Sequence, residues 1–235
     1  MGYEKIESDN ILTDFLSLLN DFYFNQQEIK YDRITLSIPD YFTLFQRKRM
    51  KNILENIQDK KVIVTSESSA ITMYYGYTKY RDMFIRGKIG VDRHIRKNII
   101  FIDIGYSKTS FIFSTFTYNE FKVLNVKCLP YLGGRNLDFI ILKQLIDKFL
   151  KKEEVKEAKE KRGDKTILDP KSKYRLLEAI EKTRKALTVN KDAVIIVDSL
   201  YADIDLEEEI TKNQFEKDIK GNFLDIFEKK LKIFL

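Results

Sequence analysis

The chain has 235 residues, 43% of them hydrophobic, and its 42 Lys and Arg against 36 Asp and Glu give a formal charge of +6. That composition excludes disorder as the main state, and the interleaving of the two signs argues against a nucleic-acid partner. One cysteine, Cys128, excludes an internal disulfide, and a single histidine, His94, leaves no cluster at metal-ligand spacing and argues against a Cys/His nucleophile.

The N-terminus, MGYEKIESDN, has no apolar signal core, and no run nears the ~18 apolar residues of a membrane span, so a soluble, cytoplasmic protein without a membrane partner is expected. Residues 6–24 place Ile11, Leu12, Phe15, Leu18, Leu19 and Phe22 at helical spacing, with Ser8 or Asp9 as cap, and predict an amphipathic helix. ITLSIP (34–39) reads as a strand stopped by Pro39, after which DYFTLFQRKRMKNILENI resumes a helical period. A β-branched strand, Val62–Val64, leads through a polar turn to a helix from around Ser68. Such alternation is that of an α/β domain.

From Asn98 the pattern changes. NIIFIDIG, TSFIFSTFT and FKVLNVKCLP predict a meander of antiparallel strands, the first covered on both faces because Ile99–Ile102 are all apolar. LGGRNLDFIILKQLIDKFLKK carries a glycine pair into a helix with Leu137, Ile140, Ile141, Leu145 and Phe149 on its buried stripe. KKEEVKEAKEKRGDK (151–165) reads as a solvated helix end and loop. YRLLEAIEKTRKALT is amphipathic, DAVIIVDSLYADIDLEEEIT reads as two strands joined near Ala202 and Asp203, and the remainder is helical in period. Asp103 stands out, because a carboxylate ending an apolar run is costly unless something binds it. Either it caps its own turn through the amides of Tyr106 or Ser107, or it faces a ligand.

Six segments are more specific than their periods: SIPDYFTLFQRKRMKNI, VTSESSAITMYYGY, FIDIGYSKTSFIF, LGGRNLD, YRLLEAIEKTRKALT and VDSLYADIDLEEEITKNQFEKDI. In that order and spacing the chain resembles, over nearly its whole length, the nucleotide-binding domain of the 70-kDa heat-shock protein superfamily. The resemblance implies an α/β chain with a partial actin-like ATPase (ribonuclease H-like) fold in two lobes. Residues 1–97 would be part of the first lobe and 98–235 the second, with an outer subdomain at about 132–210. The turn Asp103, Ile104, Gly105, Tyr106, Ser107, Lys108 departs from the usual glycine-rich form, and with LGGRNLD it is most similar to the 110-kDa heat-shock branch.

By that resemblance Asp103 and Glu67 are the catalytic carboxylates, ordering water and a magnesium shell without ligating the metal directly. Gly105, Tyr106, Ser107 and Lys108, with Gly133 and Gly134, would surround the phosphates, Tyr106 and Lys108 giving the turn a different path from glycines. Glu181, Arg184, Lys185 and Thr188 share one helix face and would grip adenosine; read alone, such a face is a solvated helix surface. Pro39, Tyr41 and Arg47 would couple nucleotide state to an interdomain linker.

The superfamily's first strand, first phosphate loop, catalytic lysine and closing glycine-rich loop are not in this sequence. About half of the cleft is therefore expected to be missing, leaving weak or no binding of ATP or ADP with magnesium and no turnover by this chain alone. The implied function is a piece of a nucleotide-exchange co-chaperone acting on a 70-kDa chaperone, with unfolded clients held by regions not present. An ATP-hydrolysing 70-kDa-type chaperone and a truncated, nucleotide-independent interaction domain are the alternatives.

Overall fold

A computed structural model describes residues 7–22, 31–57, 61–86, 96–117, 120–163 and 168–235. His94 and the ends of the first predicted helix lie outside these. The chain divides into two compact units, one of residues 1–101 with 112–128 and one of residues 102–111 with 129–235.

The first unit contains α1 (Ser8–Asn20), β1 (Arg33–Ile38), α2 (Leu44–Ile57), β2 (Lys61–Ser66) and α3 (Glu67–Arg86). Strands β1 and β2 are parallel, with Ile34 opposite Val62 and Leu36 opposite Val64. Parallel neighbours need a crossover, which α2 supplies. Thr43 and Gln46 start α2 with a reciprocal capping box: the Thr43 N–H donates to Gln46 Oε1 at 2.8 Å and the Gln46 N–H to Thr43 Oγ1 at 3.3 Å. Ile38, Ile53, Leu54 and Val62 are buried in this unit. Helix α1 forms as its period predicts, but Glu7 stands at its cap position and makes no side-chain cap bond. Of the two expected caps, Ser8 is the first helical residue and Asp9 accepts from Arg49 Nε at 2.6 Å in an ion pair.

Strands β3 (Lys97–Ile104), β4 (Lys108–Phe116) and β5 (Phe121–Pro130) form one sheet in the order β3-β4-β5. The turn at 105–107 is too short for a crossover, so β3 and β4 run antiparallel. Two-sided cover of β3 is not what the structure shows. Ile100, Ile102 and Ile104 are exposed while Ile99, Phe101 and Asp103 are half-buried; β4, nearly all buried, is the strand covered on both faces. A short apolar run has no period that could separate one-sided from two-sided burial.

In the second unit α4 (Gly134–Phe149), α5 (Glu153–Arg162) and α6 (Pro170–Ala186) pack with the hairpin β6 (Asp192–Tyr201) and β7 (Ile204–Thr211). Ile141, Leu145, Phe149, Leu176, Ile180 and Leu206 are its centre. Residues 153–162 are a separate helix with a buried contact rather than the expected solvated helix end and loop: Val155, 1% exposed, pins α5 to that core, and Gly163 ends it at φ 63°. The β6–β7 turn has Ala202 and Asp203 at φ 52° and 62°, the left-handed pair a tight hairpin requires. After α7 (Lys212–Ile219) a π-helical turn, Lys220–Leu224, leads to α8 (Asp225–Phe234), whose Phe227 and Phe234 flank the buried ring of Phe111. No helix among the described residues is long and apolar enough to cross a membrane.

Candidate functional site

The turn after β3 closes with the Gly105 N–H donating to the Lys108 carbonyl at 2.9 Å. No residue of the turn has a positive φ, so the non-glycine residues fit without left-handed backbone. The carboxylate of Asp103 accepts from Lys108 Nζ at 3.3 Å, and the same ammonium lies 3.4 Å from Ser110 Oγ. The Lys108 side chain is 10% exposed and that of Asp103 38%. Among the described residues, no bond runs from the amides of Tyr106 or Ser107 to Asp103. The capping alternative gives way to the ion pair, because an ammonium binds a carboxylate more strongly than a neutral amide does.

The carbonyls of this turn are taken by the segment that starts α4. Gly134 N–H donates to Gly105 O at 3.0 Å, Arg135 N–H to Tyr106 O at 2.8 Å and Tyr131 N–H to Ser107 O at 3.1 Å. Thr109 Oγ1 adds a bond to Leu132 O at 2.5 Å. Gly133 lies so close that a Cβ there would stand 2.5 Å from Tyr106 O and 2.7 Å from Lys108 N. The glycine pair thus seats the turn on α4. Its first amides are spent on turn and cap contacts, which removes the anion site that a bare helix N-terminus offers.

On α6 the four predicted adenosine residues divide into two ion pairs and a cap. Arg184 Nε donates to Asp138 Oδ1 at 2.5 Å, with side chains 18% and 2% exposed. Lys185 reaches Glu181 at 2.7 Å, and that hydrogen bond, then the lysine charge, holds the Glu181 carboxyl below its ordinary range. Thr188 Oγ1 donates to the Lys185 carbonyl at 2.7 Å. Arg184 and Thr188 also border a groove of about 410 Å³ between α4, α6 and α7, walled by Leu137, Leu187, Phe215 and Ile219; Glu181 and Lys185 do not line it. Sequence pattern did not single out Asp138 or Phe215. For Asp138 the signal was a carboxylate inside an apolar helical stripe, which demands a cationic partner.

In the first unit Glu67 occupies the first position of α3. Arg47 turns back on its own segment, Nε donating to Phe42 O at 3.0 Å and Nη2 to Asp40 O at 3.1 Å and Pro39 O at 3.5 Å. Tyr41 is exposed beside the Phe42 ring. Asp40, inside the SIPDYF segment but given no role there, accepts from the Ser68 N–H at 3.1 Å and hydroxyl at 2.5 Å, tying the end of β1 to the start of α3.

A profile of the Hsp70 protein family matches residues 2–233. The chain belongs to the Hsp70 family. It therefore has the actin-like ATPase fold of that family, of which the α/β units above are built. Among its most similar relatives are heat-shock proteins of the 110-kDa branch. It is 27% identical to heat shock protein hsp88 of Neurospora crassa, over 90% of this chain and 28% of the relative. To a heat shock protein homolog of Saccharomyces cerevisiae it is 24% identical, over 80% of this chain and 25% of the relative. Heat shock protein 110 of Caenorhabditis elegans is 23% identical, over 80% of this chain and 22% of the relative. The chain thus spans only about a quarter of the length of these proteins.

The magnesium ion that the Hsp70 resemblance implies near Asp103 does not fit the residues found there. A divalent ion drawn to this carboxylate would come within ~6 Å of the Lys108 ammonium, a repulsion on the order of 5 kcal/mol at an effective dielectric constant of ~20.

Proposed function

We propose that this sequence is part of a 110-kDa-type heat-shock protein, a cytoplasmic co-chaperone whose complete form grasps a 70-kDa chaperone and promotes release of its nucleotide, without hydrolysing ATP itself. The observation behind this reading is the Asp103–Lys108 pair: a carboxylate suited to ordering an attacking water beside a metal is bound instead to the chain's own lysine. The similarity to hsp88, heat shock protein 110 and the Saccharomyces cerevisiae homolog favours the same branch. Nucleotide, in this reading, is bound rather than turned over, its phosphates at Gly105–Lys108 and its adenosine near Glu181, Arg184, Lys185 and Thr188. The lobe boundary near Asn98, the coupling role of Pro39, Tyr41 and Arg47, and the capture of unfolded clients by further regions belong to the same proposal.

The test is the release of fluorescent ADP from a purified 70-kDa chaperone. The native protein carrying this sequence, isolated from source cells with an antibody to it, is expected to accelerate release. Equal release with and without it would sink the proposal, and ATP hydrolysis by that protein, slowed by Asp103→Asn, would replace it with a 70-kDa-type ATPase.

One observation favours a second reading, an interaction domain that needs no nucleotide. The charged side chains of the α6 face are already paired within the protein, Glu181 with Lys185 and Arg184 with Asp138. This reading expects the native protein carrying this sequence to melt at the same temperature with and without ADP.

A further inference from the structure

The cation beside Asp103 is built into the chain. Lys108 starts β4 with its backbone pinned on two sides, by the Gly105 N–H on its carbonyl and by Gly133 packed against its nitrogen. Its side chain is nearly buried, so the ammonium has no ready route to solvent, and two polar groups beside it, the Asp103 carboxylate and the Ser110 hydroxyl, can accept from it. A buried ammonium left without its carboxylate would be strongly disfavoured, and so would a second cation placed on that carboxylate. We propose that Lys108 excludes divalent metal from Asp103 and supplies the positive charge itself, so that this turn takes the phosphate of a nucleoside diphosphate in its metal-free form. The phosphate half of this statement rests on the nucleotide reading above; the exclusion of metal does not.

The chemistry is consistent with the rest of the turn. The carbonyls of Gly105, Tyr106 and Ser107 are all turned to the α4 segment as acceptors, which keeps them from presenting negative charge to a phosphate. The amides of Tyr106 and Ser107 donate to no acceptor among the described residues. Amides beside a fixed positive charge suit a phosphate oxygen; they offer nothing to a hydrated divalent ion.

Manganese is the probe, because it broadens the amide signals of residues near which it binds. In the isotope-labelled full chain, excess manganese with or without ADP is expected to leave the signals of 103–108 as sharp as those elsewhere. Lys108→Ala is expected to gain selective broadening there, lost again in the Asp103→Asn/Lys108→Ala double variant. If Lys108→Ala fails to fold, Lys108→Met keeps the volume of the side chain and makes the same comparison. Selective broadening in the unmodified chain, or none in a folded Lys108 variant, overturns the exclusion. In parallel, ADP titrated into the native protein carrying this sequence, in magnesium and in EDTA, is expected to bind with the same affinity within about twofold, and a gain of about tenfold from magnesium overturns metal-free binding. No ADP binding in either buffer overturns the nucleotide reading and the phosphate half, and leaves the manganese result to decide the exclusion.

Discussion

Gly133 and Tyr106 approach so closely that a Cβ on the glycine would stand 2.5 Å from the tyrosine's carbonyl oxygen. The obstacle is backbone, held by the Arg135 N–H on that same oxygen, and cannot swing away as a side chain would. Gly133→Ala is expected to destabilise the chain by about 2 kcal/mol or more. Gly134→Ala, whose Cβ would meet nothing nearer than 3.7 Å, is expected to stay within ~0.5 kcal/mol of the parent. Urea titrations of the two variants check this, and equal midpoints would contradict it.

The Asp138–Arg184 pair joins α4 to α6 with the carboxylate buried and the guanidinium mostly so. Arg184→Met leaves a buried carboxylate unpaired and is expected to cost about 3–5 kcal/mol. Replacing both, as Asp138→Leu/Arg184→Met, is expected to recover much of that loss, since the desolvation penalty goes with the charges. Denaturation of the single and double variants measures the coupling; additive losses would show that the pair does not act as one unit.

Asp169 caps α6 by accepting the Ser172 N–H at 2.6 Å, and this backbone bond is the first cause of a carboxyl pKa below the ordinary 3.8. Glu181, on the same helix, is lowered too, first by its hydrogen bond from Lys185. A native pKa below the unfolded one means that the stabilisation is present above the ordinary carboxylate pKa and lost as pH falls through the native value. Amide exchange in α6 should therefore quicken as pH drops below about 4, beyond the intrinsic change in exchange rate. Asp169→Asn, which keeps a capping oxygen, should flatten part of that dependence.

Tyr131 sits at φ 73° with its side chain in solvent, just before the glycine pair. A bulky residue in left-handed backbone is strained by about 1 kcal/mol or more, and asparagine tolerates the conformation better. Tyr131→Asn is expected to stabilise by about 0.5–1 kcal/mol, read as a rise in Tm of a few degrees. A fall in Tm would mean that the tyrosine ring contributes more than the strain removes.

Most of the strands and helices were legible in the sequence because those elements carry their own periods. Alternation marked β1, a β-branched run marked β6, a 3.6-residue repeat marked α1, α4 and α6, and Pro39, Gly133–Gly134 and Ala202–Asp203 marked ends and turns. The six family segments were equally legible, since they are local strings in a fixed order. What only the tertiary structure decided are the partners. Lys108 reads as part of the phosphate turn with no stated partner until folding brings its ammonium to Asp103, and Asp138 meets Arg184 across 46 residues of chain. The helix α5, hidden in a charge run, exists because Val155 finds a core made by distant residues, and β3 shows one apolar face because burial depends on what lies over a strand. Local periodicity is a property of neighbouring residues along the chain, whereas charge pairing and burial are set by residues that only folding brings together.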